Sequence, residues 1–341
     1  MRVARAYGLS VRWERRAARA AVGLSVALVL LGFAALLTGA VAFPPADVLA
    51  SLVGEGSAGA NYSVLRLRLP RLATAIAVGA ALGIAGAIFQ TISRNPLGSP
   101  DIIGFTTGSA TGGLVAILVL GAGGTSTATA AVVGGLITAV VVYLLAYRRG
   151  VDGFRLILVG IGINAVLVAA NNYLIARARL SAAQEAQVWL IGSLNGRTWS
   201  DALSVAVALA VLLPVALVYG RRMPVLEMGP DAARARGVPV ESTTLALVGV
   251  GVALTAMATA AAGPVAFVAL AAPQLARRLT RTEGAGLVTA ALMGAVVLVA
   301  SDVLAQRLVE SRPLPVGIGT GLVGGVYLAW LLAREWRRGA G

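Results

Sequence analysis

The residue types that carry most enzyme chemistry are missing from this chain. Its 341 residues include no cysteine and no histidine, and all 28 basic side chains are arginine. Thiolate and imidazole chemistry, cysteine or histidine metal sites and Schiff-base lysines are therefore excluded. A nucleotide-binding P-loop is excluded as well, because it uses a lysine to reach the phosphates. The 14 carboxylates fall in tails, loops or the ends of apolar runs; Asp101 and Asp302 come nearest to the middle of one, and neither is central. Proton- or sodium-coupled carriers usually hold costly acids near mid-bilayer, so this distribution weighs against ion coupling, although backbone carbonyls also bind sodium. Polar groups inside the apolar runs are uncharged. Asn164, Asn171 and Asn172 share one run, and Thr106, Thr107 and Ser109 another. Asparagines there either line a wide, weakly polar pathway for a bulky solute or hydrogen-bond neighbouring helices, the commoner use; the second group reads as packing. No catalytic residue, metal-ligand set or cofactor site is expected.

The elements that must position these groups follow from composition. The chain is 58% hydrophobic and 12% charged, against about 25% charged in a soluble domain. Apolar runs of about 20 residues, each enough to cross a bilayer, recur along its length. The expected fold class is all-α: a polytopic membrane bundle of ten helices near 20–41, 70–91, 101–121, 128–147, 155–174, 201–219, 243–262, 264–279, 285–303 and 316–333. The run from Ala20 to about Val41 is too long for a signal-peptide core of roughly 7–15 residues, so it reads as a retained first span. Eight arginines (Arg66, Arg68, Arg71, Arg177, Arg179, Arg197, Arg307 and Arg312) fall in one set of loops, and the remaining 20 of 28 in the other set and the tails. The positive-inside rule then makes both termini cytoplasmic. Arginine clusters between spans mark topology, not nucleic-acid binding. The domain reading is a basic cytoplasmic tail at 1–19, one transmembrane domain at 20–334 and a short cytoplasmic tail at 335–341.

Glycines at four-residue spacing, Gly79 and Gly83, then Gly104, Gly108 and Gly112, then Gly317, Gly321 and Gly325, predict close helix packing, within one subunit before any dimer contact. The cytoplasmic segment 226–240 stands apart. It reads as a short amphipathic helix with Pro230 near its start, Asp231 in the first turn and Gly237 as its stop. Such a helix between two spans is a natural docking surface for a soluble partner.

Several motifs together resemble the FecCD-type permeases, importer subunits for ferric siderophores, haem and cobalamin. They are Arg68-Leu-Pro-Arg71, the run Arg94-Asn-Pro-Leu-Gly-Ser-Pro-Asp-Ile-Ile-Gly104, the 226–240 segment, Gly263-Pro-Val-Ala-Phe-Val-Ala-Leu-Ala-Ala-Pro273 and Leu314-Pro-Val-Gly-Ile318. Two positions depart from the pattern: Gln274 replaces a histidine and Ala269 a glycine. The stretch Trp189–Trp199 looks most like the branch for catecholate-type ferric siderophores.

The resemblance implies a type II ABC-importer permease in the bacterial cytoplasmic membrane. Its partners would be a second permease, identical or paralogous, two cytoplasmic ATPase subunits and an extracytoplasmic substrate-binding lipoprotein. It would carry a ferric siderophore, or alternatively haem or cobalamin; an ion-coupled carrier is the reading from a different class. Arg68 and Arg71 would receive acidic residues of the binding protein, with Arg307 and Arg312 widening the patch, though Gln306 stands where a family arginine aligns. Leu226, Gly229, Asp231, Ala232, Ala233, Arg236 and Gly237 would meet the ATPase. Asn164, Asn171 and Asn172 would line the translocation pathway.

Overall fold

In a bilayer every backbone N–H and C=O must find its partner within the protein, so a chain this apolar is written almost entirely as helix. The computed structural model describes residues 2–6, 9–39, 41–147, 153–281, 286–308 and 314–339. Two short strands, β1 (Arg2–Ala6) and β2 (Leu9–Trp13), pair antiparallel at the N-terminus. Then follow α1 (Arg15–Leu37), α2 (Pro45–Leu52), α3 (Ala58–Tyr62), a π-helical turn (Ser63–Arg68), α4 (Leu69–Ser93), α5 (Phe105–Leu118), α6 (Thr125–Ala146), α7 (Gly153–Arg177) and α8 (Leu180–Leu190). The second half comprises α9 (Trp199–Gly220), α10 (Met223–Glu227), α11 (Pro230–Ala235), α12 (Val240–Ala262), α13 (Val268–Thr280), α14 (Leu287–Leu308) and α15 (Val316–Gly339).

Each of the ten expected spans corresponds to a helix, but not to equal ones. Among the described residues, seven helices are long and apolar enough to cross a membrane: α1, the continuous Ala58–Ser93 helix, α6, α7, α9, α12 and α14. The helix α5 and the apolar part of α15 are shorter, and α13 has 13 residues. At 1.5 Å per residue, α13 covers about 20 Å of a core about 30 Å thick. Irregular backbone before α5 and α13 supplies the rest, and protein groups hold it: Gln274 Nε2 donates to the Pro96 carbonyl, and Thr106 Oγ1 donates to the Asp101 carboxylate at the end of the 94–104 connection. The first of these contacts brings the 94–104 connection alongside α13. Unpaired backbone is tolerated at membrane depth only where it is buried in protein like this.

The helix α4 forms the axis of the core. It packs against α14, α12, α13 and α9, and nearly every residue from Thr74 to Ile92 is buried. Small residues make this possible. A Cβ added at Gly79 or Gly83 would overlap the backbone of Gly294 or Ala290 on α14, and one at Gly86 would overlap the Ala269 carbonyl on α13. Likewise Gly108 and Gly112 press on Thr138 and Ala130 of α6. The expected intrachain packing stripes are therefore present on α4 and α5. Of the expected stripe on α15, Gly317 is in contact, against the Ile191 carbonyl, while Gly321 and Gly325 have nothing within 4 Å; the contacts there fall instead at Gly319, on the Ser301 carbonyl, and Gly324, on Phe267.

Three details go beyond the expected spans. Residues expected as a basic tail include the start of α1, so Arg15, Arg16 and Arg19 ride on the first helix. The connections at 42–69 and 175–200 contain α2, α3, the π turn and α8, short helices fixed by burying Val48, Ala60, Val64 and Ala186. The segment 226–240 is not one helix. Its first two residues close α10, Gly229 breaks the chain at φ +105°, and α11 begins at Pro230. Gly237, at φ +75°, ends it as expected, with its N–H bonded to Arg234 O and that of Val238 to Ala233 O.

Candidate functional site

Two polar clusters lie at opposite ends of the bundle. At the first, Arg68 and Arg71, three residues apart, take different partners. The Arg68 guanidinium is buried, with the residue 8% exposed. It donates to Leu36 O at 2.6 Å and to Val41 O, and lies 5.5 Å over the Phe43 ring. It ties down the α1–α2 connection, where a Cβ on Gly39 would come within 2.7 Å of Arg68 Nη2.

Arg71 turns instead to α14. Its Nε and Nη2 donate to the two oxygens of Asp302 at 2.9 and 2.7 Å, and its Nη1 donates to Asn195 Oδ1 at 2.6 Å. The side chains of Arg71 and Asp302 are 16% and 4% exposed. Gln306, one turn along α14, donates to Asp302 Oδ2 at 2.8 Å. Asp302 is thus a buried, fully engaged carboxylate. Arg307 is exposed and donates to Thr38 Oγ1 at 3.3 and 3.1 Å. Arg66, not selected from the sequence, is exposed near the same end. Arg312 lies outside the described residues.

Three sequence motifs meet over this end. The Ser193 N–H bonds to Ala262 O at 2.7 Å, and the Gly317 N–H to Gly192 O at 3.2 Å. Gly192 adopts φ +75° and packs against the Pro264 carbonyl, while Trp189 lies on Gly113. The 189–199 stretch therefore knits α5, α12 and α15 together, and Trp199 Nε1 adds a bond to Leu65 O at 3.2 Å.

At the opposite end, α11 packs against α10 and α12. Ala233 is fully buried and Leu226 nearly so, whereas Arg234 and Asp231 form an exposed ion pair at 2.9 Å. Arg236 Nη1 bonds to the Met228 sulfur at 3.1 Å. No neighbour lies within 4 Å of a Cβ added at Gly237, so only its backbone conformation demands glycine. An open groove of about 760 Å3 runs beside α11, lined by Tyr143, Tyr147, Arg234, Glu241 and Leu245 among others. The residue that joins this segment to the bundle is Glu227. Thr91 Oγ1 donates to its Oε1 at 2.9 Å and Arg277 Nη2 to the same oxygen at 3.0 Å. No sequence signal linked positions 91, 227 and 277.

The asparagines of α7 separate by face. Asn164 is half-buried with its Cβ against Gly104, and Asn171 is buried. Among the described residues neither Oδ1 has a hydrogen-bond partner. Asn172 is exposed, on a stripe with Ile161, Ala165 and Val168. In the other group, Ser109 is buried and packs on Gly135, but Thr106 bonds to Asp101 Oδ1 at 2.6 Å.

A bundle of this kind, whose long apolar helices pack around α4 and whose short α11 lies in a connection at one end, has the architecture of a membrane-spanning permease. The chain belongs to the FecCD transport family, whose model matches residues 10–334. It is 47% identical to the ferric enterobactin transport system permease protein FepG of Escherichia coli (strain K12), over 92% of this chain and 94% of that protein. It is 35% identical to the achromobactin transport system permease protein CbrC of Dickeya dadantii, over 92% and 91%. A solved structure described as an inward-facing metal-chelate type ABC transporter superposes with a TM-score of 0.81 at 27% identity, covering 93% of this chain and 99% of that one.

Proposed function

We propose that the chain is the membrane-spanning subunit of an ATP-driven importer that moves a ferric siderophore of the catecholate type into the cytoplasm. The observation that carries this reading is its identity to the ferric enterobactin permease along almost the full length of both chains. A second permease, two ATPase subunits and an extracytoplasmic binding protein complete the assembly, and both termini are cytoplasmic. The absence of lysine supports the division of labour: phosphate chemistry belongs to another chain. Ion coupling finds little support, because Asp302 is neutralised by Arg71 and Asp101 is held by Thr106.

In this reading α11 and its flanks, including Leu226, Gly229, Asp231, Ala232, Ala233, Arg236 and Gly237, meet the ATPase. Binding-protein carboxylates meet the exposed Arg307 and Arg66, while Arg71, held by Asp302 and Asn195, and Arg68 brace the surface beneath. The exposed stripe of α7 ending at Asn172 faces the pathway, and Asn164 and Asn171 pack behind it. A smooth, weakly polar wall suits a bulky solute that must be released.

Uptake in cells that lack their own ferric catecholate permease tests the substrate. Expressed with its cognate ATPase and binding protein, this chain should restore accumulation of radiolabelled iron from a ferric catecholate. Haem and cobalamin uptake should stay at background. Restoration of cobalamin or haem uptake alone would overturn the siderophore assignment while leaving the permease class intact.

A further inference from the structure

We propose that Glu227 is a positioning residue: its carboxylate is the joint through which movement of the 226–240 segment reaches α4 and α13. The proposal rests on the reading of that segment as the ATPase-docking element. Glu227 closes α10, whose Met223 and Leu226 are anchored in the core. Immediately beyond it, Gly229 at φ +105° swings the chain into α11. Glu227 therefore sits between an anchored turn and α11. Its Oε1 accepts from Thr91, on the last turn of α4, and from Arg277, on the last turn of α13. Arg277 Nη2 also reaches Thr91 Oγ1 at 3.4 Å, closing a triangle of three elements. Among the described residues, the polar bonds from 223–240 to α4 and α13 converge on this one oxygen.

Magnitude argues that the joint serves motion more than stability. The Glu227 and Arg277 side chains are 29% and 31% exposed, and ion pairs with such access to solvent add little to stability. The direction of the contact is what matters, because α4 is the core axis and α13 lies along the 94–104 connection. A pull on Glu227 would act on both at once.

The test uses the complete importer, permease, ATPase and binding protein, reconstituted in lipid vesicles. Glu227→Ala should leave the yield and thermal stability of the complex unchanged while lowering substrate imported per ATP hydrolysed by about fivefold or more. The exchange Glu227→Arg with Arg277→Glu can rebuild the triangle and should recover part of the ratio. An unchanged ratio in Glu227→Ala overturns the proposal. So does loss of folded complex in both the single and the exchanged variant, which would make the contact structural. A parallel variant remodelling Asp231 to Arg236 separates the two readings. If it leaves import and ATPase binding intact, the docking segment itself is misassigned; if it abolishes import while Glu227→Ala does not alter the ratio, only the joint is wrong.

Discussion

Gly86→Val is expected to abolish recovery of folded protein, and Gly83→Leu to do the same. A Cβ at position 86 would fall well inside the Ala269 carbonyl oxygen, and one at 83 inside that of Ala290. Both obstacles are backbone, so no rotamer change relieves them; α4 must move away from α13 or α14. Overpacking a core costs about 1–3 kcal/mol even where side chains can yield, and here they cannot. The displaced helix is also the one the others pack around. Lipid offers little hydrophobic compensation, since helix association depends on close packing. Gly249→Ala on α12 is the control, because nothing lies within 4 Å of its added Cβ; it should stay within about 0.5 kcal/mol of the parent. Yield of monodisperse protein in detergent and its unfolding temperature report both outcomes. A well-folded Gly86→Val protein would contradict the packing described.

Breaking the Arg71–Asp302 pair from one side should be nearly as damaging. Asp302→Ala strands a guanidinium that is mostly enclosed, and removing one member of a buried pair costs about 3–5 kcal/mol. The bond to Asn195 and the residual exposure of Arg71 place the expectation at the lower end, about 3 kcal/mol. Replacing both partners by apolar residues, Arg71→Met with Asp302→Leu, should recover most of that loss, because an apolar pair has no charge to desolvate. A thermodynamic cycle over the two single variants and the double variant, read by unfolding in detergent, would give a coupling energy of about 2 kcal/mol or more. Independent, additive effects would show that the two side chains do not act as a pair.

The sequence and the structure agree where the signal is periodic. Runs of about 20 apolar residues have one outcome in a bilayer, and the small-residue spacing at Gly79 and Gly83, or Gly108 and Gly112, has one geometric use. The motif departures are also intelligible. Gln274 supplies an N–H to the Pro96 carbonyl, and Ala269 still fits because Gly86 faces it. Legibility ends where the partner is distant in sequence. Nothing local distinguishes Arg68, turned inward onto Leu36, from Arg71, which meets a carboxylate 231 residues away. The short outer helices escaped notice because each buries only one or two side chains, too few to set a period. Glu227 lay within a recognised segment, but its partners Thr91 and Arg277 belong to other helices.

ATP hydrolysed by partner subunits is proposed to drive import through this chain. Vesicles containing the permease with its ATPase, supplied with the binding protein and a ferric catecholate outside and ATP within, test it most directly. Accumulation is expected to stop when the ATPase carries an inactivating substitution in its own P-loop and to continue in the presence of an uncoupler. Accumulation that persists without ATP hydrolysis and collapses with the ion gradient would contradict the account.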